Sequence, residues 1–275
     1  MNIQTLTNQL IDAGIEKNEA KYEIKMLLEH FCNYTERDKI LGKSLNEEQL
    51  KEIENKVSLR INTKTPIQYI IGQAWFMGSY FKVTPDVLIP RDETELLVRE
   101  AIDLIDKNNF KNVLDIGTGS GCIACSIAKN TNSTVLGVDI STDALRIALD
   151  NVTRLGINNR AVFRKSDLFT GIRNDEKFDI IISNPPYVPI GTNLSEEVLH
   201  EPQIALFAEE NGLAIYRKII ERAPLFTNSG GYLMFELGID ESKYVKEMME
   251  DKYTNIHIIK DFAGIDRIIY GQLKY

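Results

Sequence analysis

Val113-Leu114-Asp115-Ile116-Gly117-Thr118-Gly119-Ser120-Gly121 is a short apolar run that breaks into a glycine-rich loop. The run reads as a buried strand, and the small and aliphatic residues from Cys122 to Lys129 read as the helix that follows. Glycine lets a backbone turn sharply and lets a ligand approach it closely. Thr134 to Val138 forms a second strand that ends in Asp139. A carboxylate at that point can accept both hydroxyls of a ribose. Strand, loop, helix, strand and acid in this order predict a nucleoside-bearing ligand. The plainer alternative is that Asp139 only caps the helix after it. Cys122 and Cys125 have redox-motif spacing, but read better as small residues packing a helix on a sheet.

Outward from this unit, strands and helices keep alternating, which predicts an α/β fold with a mostly parallel sheet. Ser141 can cap a helix with Leu145, Ala148, Leu149 and Val152 inward. Ala161 to Arg164 is a third strand, ending near Asp167-Leu168-Phe169. Phe178-Asp179-Ile180-Ile181-Ile182 is a fourth. After a helix around Leu213 to Ala223, Gly230-Gly231 turns into a fifth strand, Tyr232 to Leu237. A helix near Asp240 to Met249 precedes two last strands, near Ile256 to Lys260 and Arg267 to Tyr270. The short loop between them, with Gly264, predicts antiparallel pairing. The sheet therefore has seven strands.

The fourth strand runs into Ser183-Asn184-Pro185-Pro186-Tyr187. Two prolines cannot continue a ladder, because they lack N–H donors and have φ fixed. Asn184 thus stands at the carboxyl end of a strand, where open α/β sheets bind ligands. Its side-chain oxygen and the Pro185 carbonyl are two acceptors, and neither is a base. Together they suit the two N–H bonds of a planar amine or amide, with Tyr187 as an aromatic face beside them. A strand end followed by a Pro-Pro turn is the bland reading of the same letters. Glu236, at the end of the fifth strand, is either an acid near this site, an ordering residue, or a solvated strand end.

Residues 1–70 read as a helical unit. Ile3, Leu6 and Leu10 share one helical face, as do Ile24, Leu27, Leu28 and Phe31. Asn46 caps a third helix, with Gln49 at its third position and a stripe of Leu50, Ile53, Val57 and Ile61. Residues 71–92 form a hairpin and linker. Pro66 precedes a short helix ended by Gly72, and Gly78-Ser79 is the expected hairpin turn between Trp75 and Val83. Residues 93–275 carry the sheet. Glu93 and Glu95 fall in a first helical turn, where acids suit the dipole.

The chain has 275 residues, 43% hydrophobic and 26% charged, with a net charge of −8. That is enough for a substantial core, and the acidic balance argues against stable gripping of nucleic acid. No apolar run suits a membrane span, and the first residues lack the pattern of a signal peptide, so a cytoplasmic location is expected. Three cysteines do not make a disulfide framework. The three histidines, His30, His200 and His257, are scattered, and no metal is expected.

The loop Gly117-Thr118-Gly119-Ser120-Gly121 after Asp115 does not fit the NAD fingerprint, whose second and third glycines stand further apart. It resembles the first motif of S-adenosyl-L-methionine-dependent methyltransferases. That resemblance implies that Asp115 helps place the methionine amino group through its neighbours or water, that Asp139 takes the ribose, and that Asp167 and Leu168 flank the adenine. In a plainer reading Asp167 makes a turn. Together with Asn184-Pro185-Pro186-Tyr187, the loop resembles Rossmann-like class I methyltransferases acting on a planar exocyclic nitrogen. The flanks narrow the resemblance to the HemK/PrmC family of protein-(glutamine-N5) methyltransferases. They are Pro66 to Gly72, Leu88 to Glu95, Ser166 to Phe169, Glu201-Pro202, Ala205-Leu206, Gly212-Leu213 and Gly264 to Arg267. The implied substrate is the glutamine of the Gly-Gly-Gln loop of peptide-chain release factors, and residues 1–70 become the implied recognition domain. Asp92 departs from the pattern, standing where the family usually has proline. The rival readings are an exocyclic-amino methyltransferase of DNA or RNA, a methyltransferase of a ribosomal-protein glutamine, and a binding module that keeps the pocket without catalysis.

Overall fold

The computed structural model describes residues 2–274. Contacts divide the chain into two units. One holds residues 1–73 and 194–200, the other residues 74–193 and 201–275.

The first unit is helical: α1 Ile3–Asp12, α2 Lys17–Cys32, α3 Glu36–Ile40, α4 Glu47–Thr63 and α5 Ile67–Ile71. The expected stripes do the packing. Leu6 and Leu10 of α1, Ile24 and Leu27 of α2, and Ile53 and Val57 of α4 share one core. Short helices of this kind hold only by burying such stripes together. Asn46 and Gln49 form the anticipated capping box. The short α3 was not expected; Thr35 and Asp38 start it with a capping box of their own. Within this core, Arg60 is buried against the carboxylate of Glu23, with Nη2 2.9 Å from Oε1, and the same Nη2 reaches Glu197 Oε2 at 2.8 Å.

The second unit opens with a hairpin, β1 Gln73–Phe76 and β2 Ser79–Lys82. Its turn is Met77-Gly78, one residue earlier than expected, with both residues at positive φ (47° and 73°). That is the geometry of a two-residue turn that follows the twist of the strands. Then follow α6 Asp92–Asn108, β3 Asn112–Ile116, α7 Cys122–Asn130, β4 Thr134–Asp139, α8 Thr142–Arg154, β5 Ala161–Lys165 and β6 Phe178–Ser183. The rest is β7 Val188–Pro189, α9 Gln203–Leu206, β8 Phe207–Ala208, α10 Ala214–Arg222, β9 Thr227–Glu236, α11 Ser242–Glu250, β10 Tyr253–Lys260 and β11 Asp266–Leu273. The main sheet is seven-stranded in the order β10-β11-β9-β6-β3-β4-β5, with only β11 antiparallel to its neighbours. This is the Rossmann-like arrangement of class I methyltransferases. The Gly230-Gly231 pair does not precede the fifth strand. It lies inside β9, where the register with β6 slips. A Cβ on Gly231 would come within 2.7 Å of the Asp179 carbonyl, so the slip needs glycine there.

Alternation along the strands builds the layers. Val113, Val135, Ile180, Ile182 and Met234 pack on one face with α6 and α7. Leu114, Leu136, Ile181, Leu233 and Phe235 pack on the other with α10 and α11. Strands buried on both faces read as continuous apolar runs, as these do. From β3 the chain passes to β4 and β5 on one side, while β6 and β9 lie on the other. The carboxyl ends of β3 and β6 therefore flank a topological switch point. Among the described residues no helix is long and apolar enough to cross a membrane. Among the same residues no group of three His, Cys, Asp or Glu could hold a metal ion.

Candidate functional site

The register of β4, β3 and β6 brings their ends level, with Ile116 opposite both Val138 and Ser183. The loop after β3, Asp139 after β4 and Asn184 after β6 then wall one cavity of the second unit. Val87, Leu88, Pro90 and Arg91 also line it, with Pro202, Ile204 and Ile215.

Asp115 lies beneath this loop. It shares a sheet face with Val113, under α7, and is fully buried. Its Oδ2 accepts from the Thr118 hydroxyl (2.6 Å) and the Ala124 N–H (3.2 Å), while its Oδ1 is buried without a partner. Burial pushes the carboxyl up to about 7, against the two hydrogen bonds that favour its charge. The loop is tied to β4 twice over. Gly117 and Thr118 both donate their N–H to the Val138 carbonyl, and Gly119 donates to Asp139 Oδ2 at 2.9 Å. Gly119 holds φ +53°, a conformation that costs glycine least. Gly121 sits where a Cβ would come within 2.9 Å of the Phe163 ring, so the helix start packs against β5.

Asp139 also accepts from Ser141 N–H at 2.8 Å, so the helix-entry role and the loop-tying role coexist. Burial raises its pKa. Ser141 itself caps α8 through the Ala144 N–H. Asp167 is exposed and its backbone turns through Thr170, while Leu168 follows at φ +48°. Both line the cavity.

Asn184 is half-buried, Pro185 buried. The Asn184 amide nitrogen donates to Thr94 Oγ1 at 3.2 Å, and Thr94 in turn donates to Glu236 Oε2 at 2.6 Å. Glu236 is 1% exposed, so it lies inside the protein and is not a solvated strand end. Burial pushes it up to about 7. Tyr187 turns its hydroxyl to Glu236 Oε1 at 3.4 Å and packs into the α10 side of the core.

These residues fit S-adenosylmethionine on their own chemistry. An unpartnered carboxylate oxygen just behind the loop suits a cationic group bound in front of it, a glycine-rich loop allows close approach, and a strand-end acid suits a ribose.

A methyltransferase-domain model matches residues 107–272, and a PrmC N-terminal-domain model matches residues 3–72. A release factor glutamine methyltransferase of Streptococcus pneumoniae is 36% identical over 273 residues, 95% of this chain and 93% of that protein. One of Clostridium acetobutylicum is 38% identical, over 82% of this chain and 81% of that protein. The chain belongs to the release factor glutamine methyltransferase family. Among solved structures, a T. thermophilus 16S rRNA methyltransferase in complex with AdoMet and guanosine matches at TM-score 0.55. It is 18% identical and covers 74% of this chain and 50% of that one. A Pyrococcus furiosus methyltransferase matches at TM-score 0.51 and 18% identity, over 83% of this chain and 98% of that one. At such identities the likeness concerns the fold.

In this member of the release factor glutamine methyltransferase family, the cavity wall holds Gly117, Thr118, Gly119, Ser120, Asp139, Asp167, Leu168, Asn184, Pro185 and Pro186 of the expected residues. Asp115, Gly121 and Tyr187 stand behind the wall. Thr94 is the functional neighbour that sequence reasoning passed over. It sits within the quoted Leu88 to Glu95 motif, but only the fold sets it beside Asn184. Asp92, at the family's proline position, is the first residue of α6. Proline is tolerated there because that N–H has no helical partner, and an acid is favoured there by the dipole. The departure therefore leaves the helix start intact. Glu95 does more than suit the dipole: its Oε1 accepts the Met77 N–H at 2.7 Å and pins the hairpin turn to α6. Cys122 and Cys125 are buried on the α7 face against the sheet, and burial pushes the Cys122 thiol up to about 12.

Proposed function

We propose that the protein methylates the side-chain amide nitrogen of the glutamine in the Gly-Gly-Gln loop of peptide-chain release factors. The observation that carries this reading is the meeting of the β3 glycine loop, Asp139 and the Asn184-Pro185 acceptor pair in one cavity. S-adenosylmethionine is the methyl donor, and when bound it supplies an already activated electrophilic methyl group. The loop holds its amino-acid end, with Asp115 acting from behind through Thr118, Asp139 its ribose, and Asp167 with Leu168 its adenine.

An amide nitrogen is a weak nucleophile because its lone pair is delocalised. The site therefore needs placement more than a strong base. Asn184 Oδ1 and the Pro185 carbonyl accept the two amide hydrogens and aim the nitrogen into the cavity, with Pro186 and Tyr187 shaping the approach. Reaching a near-attack geometry supplies up to roughly 7–11 kcal/mol of such a barrier. Both acceptors gain strength as positive charge develops on the nitrogen, which stabilises the transition state over the ground state. The proton leaves afterwards to water. Residues 1–70 serve as the recognition domain for the release factor.

The same acceptor pair could grip the amino group of a nucleobase, and an rRNA methyltransferase shares the fold. The net charge of −8 weighs against that reading. The test is to methylate a release factor with the protein and map the product by tandem mass spectrometry, with RNA and DNA in parallel. A methyl group on the loop glutamine alone is expected. A methyl group on nucleic acid, or on another residue, would overturn the assignment.

A further inference from the structure

We infer that Thr94 is a positioning residue that decides which end of the Asn184 amide faces the cavity, with Glu236 behind it setting the direction of the hydrogen bonds. The inference rests on the proposed role of Asn184 as an acceptor for the substrate amide.

Met234 of β9 faces the α6 layer, so Glu236, two residues on, points the same way, where Thr94 stands on the first turns of α6. Glu236 and Thr94 are 1% and 2% exposed, so water does not complete their hydrogen bonds. A threonine hydroxyl has one proton to give. With Glu236 ionised, that proton goes to its Oε2 at 2.6 Å, and Tyr187 gives its own to Oε1 at 3.4 Å. What Thr94 Oγ1 then offers Asn184 is lone pairs alone. Only the NH₂ end of the Asn184 amide can face it, at 3.2 Å.

The amide is planar, so fixing Nδ2 on Thr94 turns Oδ1 away from it. The flipped amide would set Oδ1 against the Thr94 lone pairs. It would also present N–H groups to a substrate amide whose own hydrogens need acceptors. The carboxyl behind this arrangement is poised. Burial and the nearby Glu93 raise it to about 7, while Thr94, Arg267 and Tyr187 favour its charged, accepting form.

The test compares Thr94→Val, which keeps the shape and removes the hydroxyl, with Thr94→Ser, which restores it. Methyl transfer to a release factor, S-adenosylmethionine affinity and Tm are measured for both, with Asn184→Ala alongside. Thr94→Val should lower kcat by roughly 10–100-fold, the scale of a misplaced reacting group. Cofactor affinity should hold, and Thr94→Ser should recover most of the rate. If Thr94→Val does not fold, Glu236→Gln replaces it, because a glutamine amide can donate to Thr94 as well as accept. It should lower kcat with cofactor affinity kept. Full activity in Thr94→Val or Glu236→Gln would overturn the inference, as would a Thr94→Ser enzyme no better than Thr94→Val. Full activity in Asn184→Ala would instead remove the reading on which the inference stands.

Discussion

Asp115 accepts the Thr118 hydroxyl at 2.6 Å with one carboxylate oxygen and buries the other with no partner. A buried acceptor left unmatched costs about 1–3 kcal/mol. Burial also holds the carboxyl at about 7, so it is largely protonated in mildly acidic solution. A cationic amino group bound at the loop in front of it lowers that value. S-adenosylmethionine binding at about pH 6 should therefore release protons. Titration calorimetry in two buffers of different ionisation enthalpy reads this directly. Release is expected in the native protein and should vanish in Asp115→Asn. Equal enthalpies in both buffers would contradict the assignment.

The raised carboxyls also set a stability profile. Glu236 keeps its proton in the folded state up to about 7, whereas an unfolded chain gives it up near the ordinary glutamate value of 4.5. Between those values the folded state binds more protons, so this group's contribution falls as pH rises, by up to about 1.4 kcal/mol per pH unit. Its effect is fully developed above the folded value. Glu236→Gln should show a shallower decline in Tm from mildly acidic to neutral pH. Parallel Tm curves for variant and native protein would contradict this.

Gly137 is where β4 passes under the loop. A Cβ there would lie 2.6 Å from the Phe163 ring and 2.7 Å from Thr118 Oγ1. Phe163 is held by β5, and Thr118 by Asp115. Gly137→Ala should therefore lower stability by about 1–3 kcal/mol through overpacking and weaken S-adenosylmethionine binding. Urea unfolding and a cofactor titration check the two effects. Native stability and affinity together would show that the loop has room to yield.

Arg60 and Glu23 are 3% and 1% exposed in the first unit, and Glu197 adds a second carboxylate. Removing one partner strands a buried charge, which costs about 3–5 kcal/mol, whereas replacing both by apolar residues costs much less. Arg60→Ala should lose hydrogen-exchange protection in α2 and α4. Arg60→Met with Glu23→Leu should keep most of it. No loss in the single variant would contradict the account.

The parts of the molecule most legible in the sequence are those fixed by local chemistry. The apolar β3 run, the glycine loop, the Pro-Pro stop after β6 and the Asn46 capping box each act within a few residues, and each appears where its chemistry puts it. Two turns were less legible. Gly78-Ser79 and Met77-Gly78 are both acceptable hairpin turns by composition; the pinning of Met77 N–H by Glu95 belongs to tertiary structure. Gly230-Gly231 looks like a turn, but a glycine pair also suits a register slip within a strand. The site followed the same division. Asp139 and Asn184 were legible as strand-end residues. Thr94 and Glu236 were not paired with Asn184, because their contact depends on α6 packing over the ends of β6 and β9. Tyr187 read as a cavity face from its place in the motif, yet its hydroxyl is drawn inward by Glu236.

The central claim is that the protein works by placing an amide between the Asn184 oxygen and the Pro185 carbonyl. The measurement that bears on it most directly is the single-turnover rate of methyl transfer to a release factor by Asn184→Ala, with cofactor affinity and Tm measured on the same sample. The account predicts a loss of roughly 100-fold or more in rate, the scale seen when one preorganised hydrogen-bonding group is removed from a transition state. The fold should be unchanged. A variant that binds S-adenosylmethionine, stays folded and transfers methyl at the native rate would contradict it.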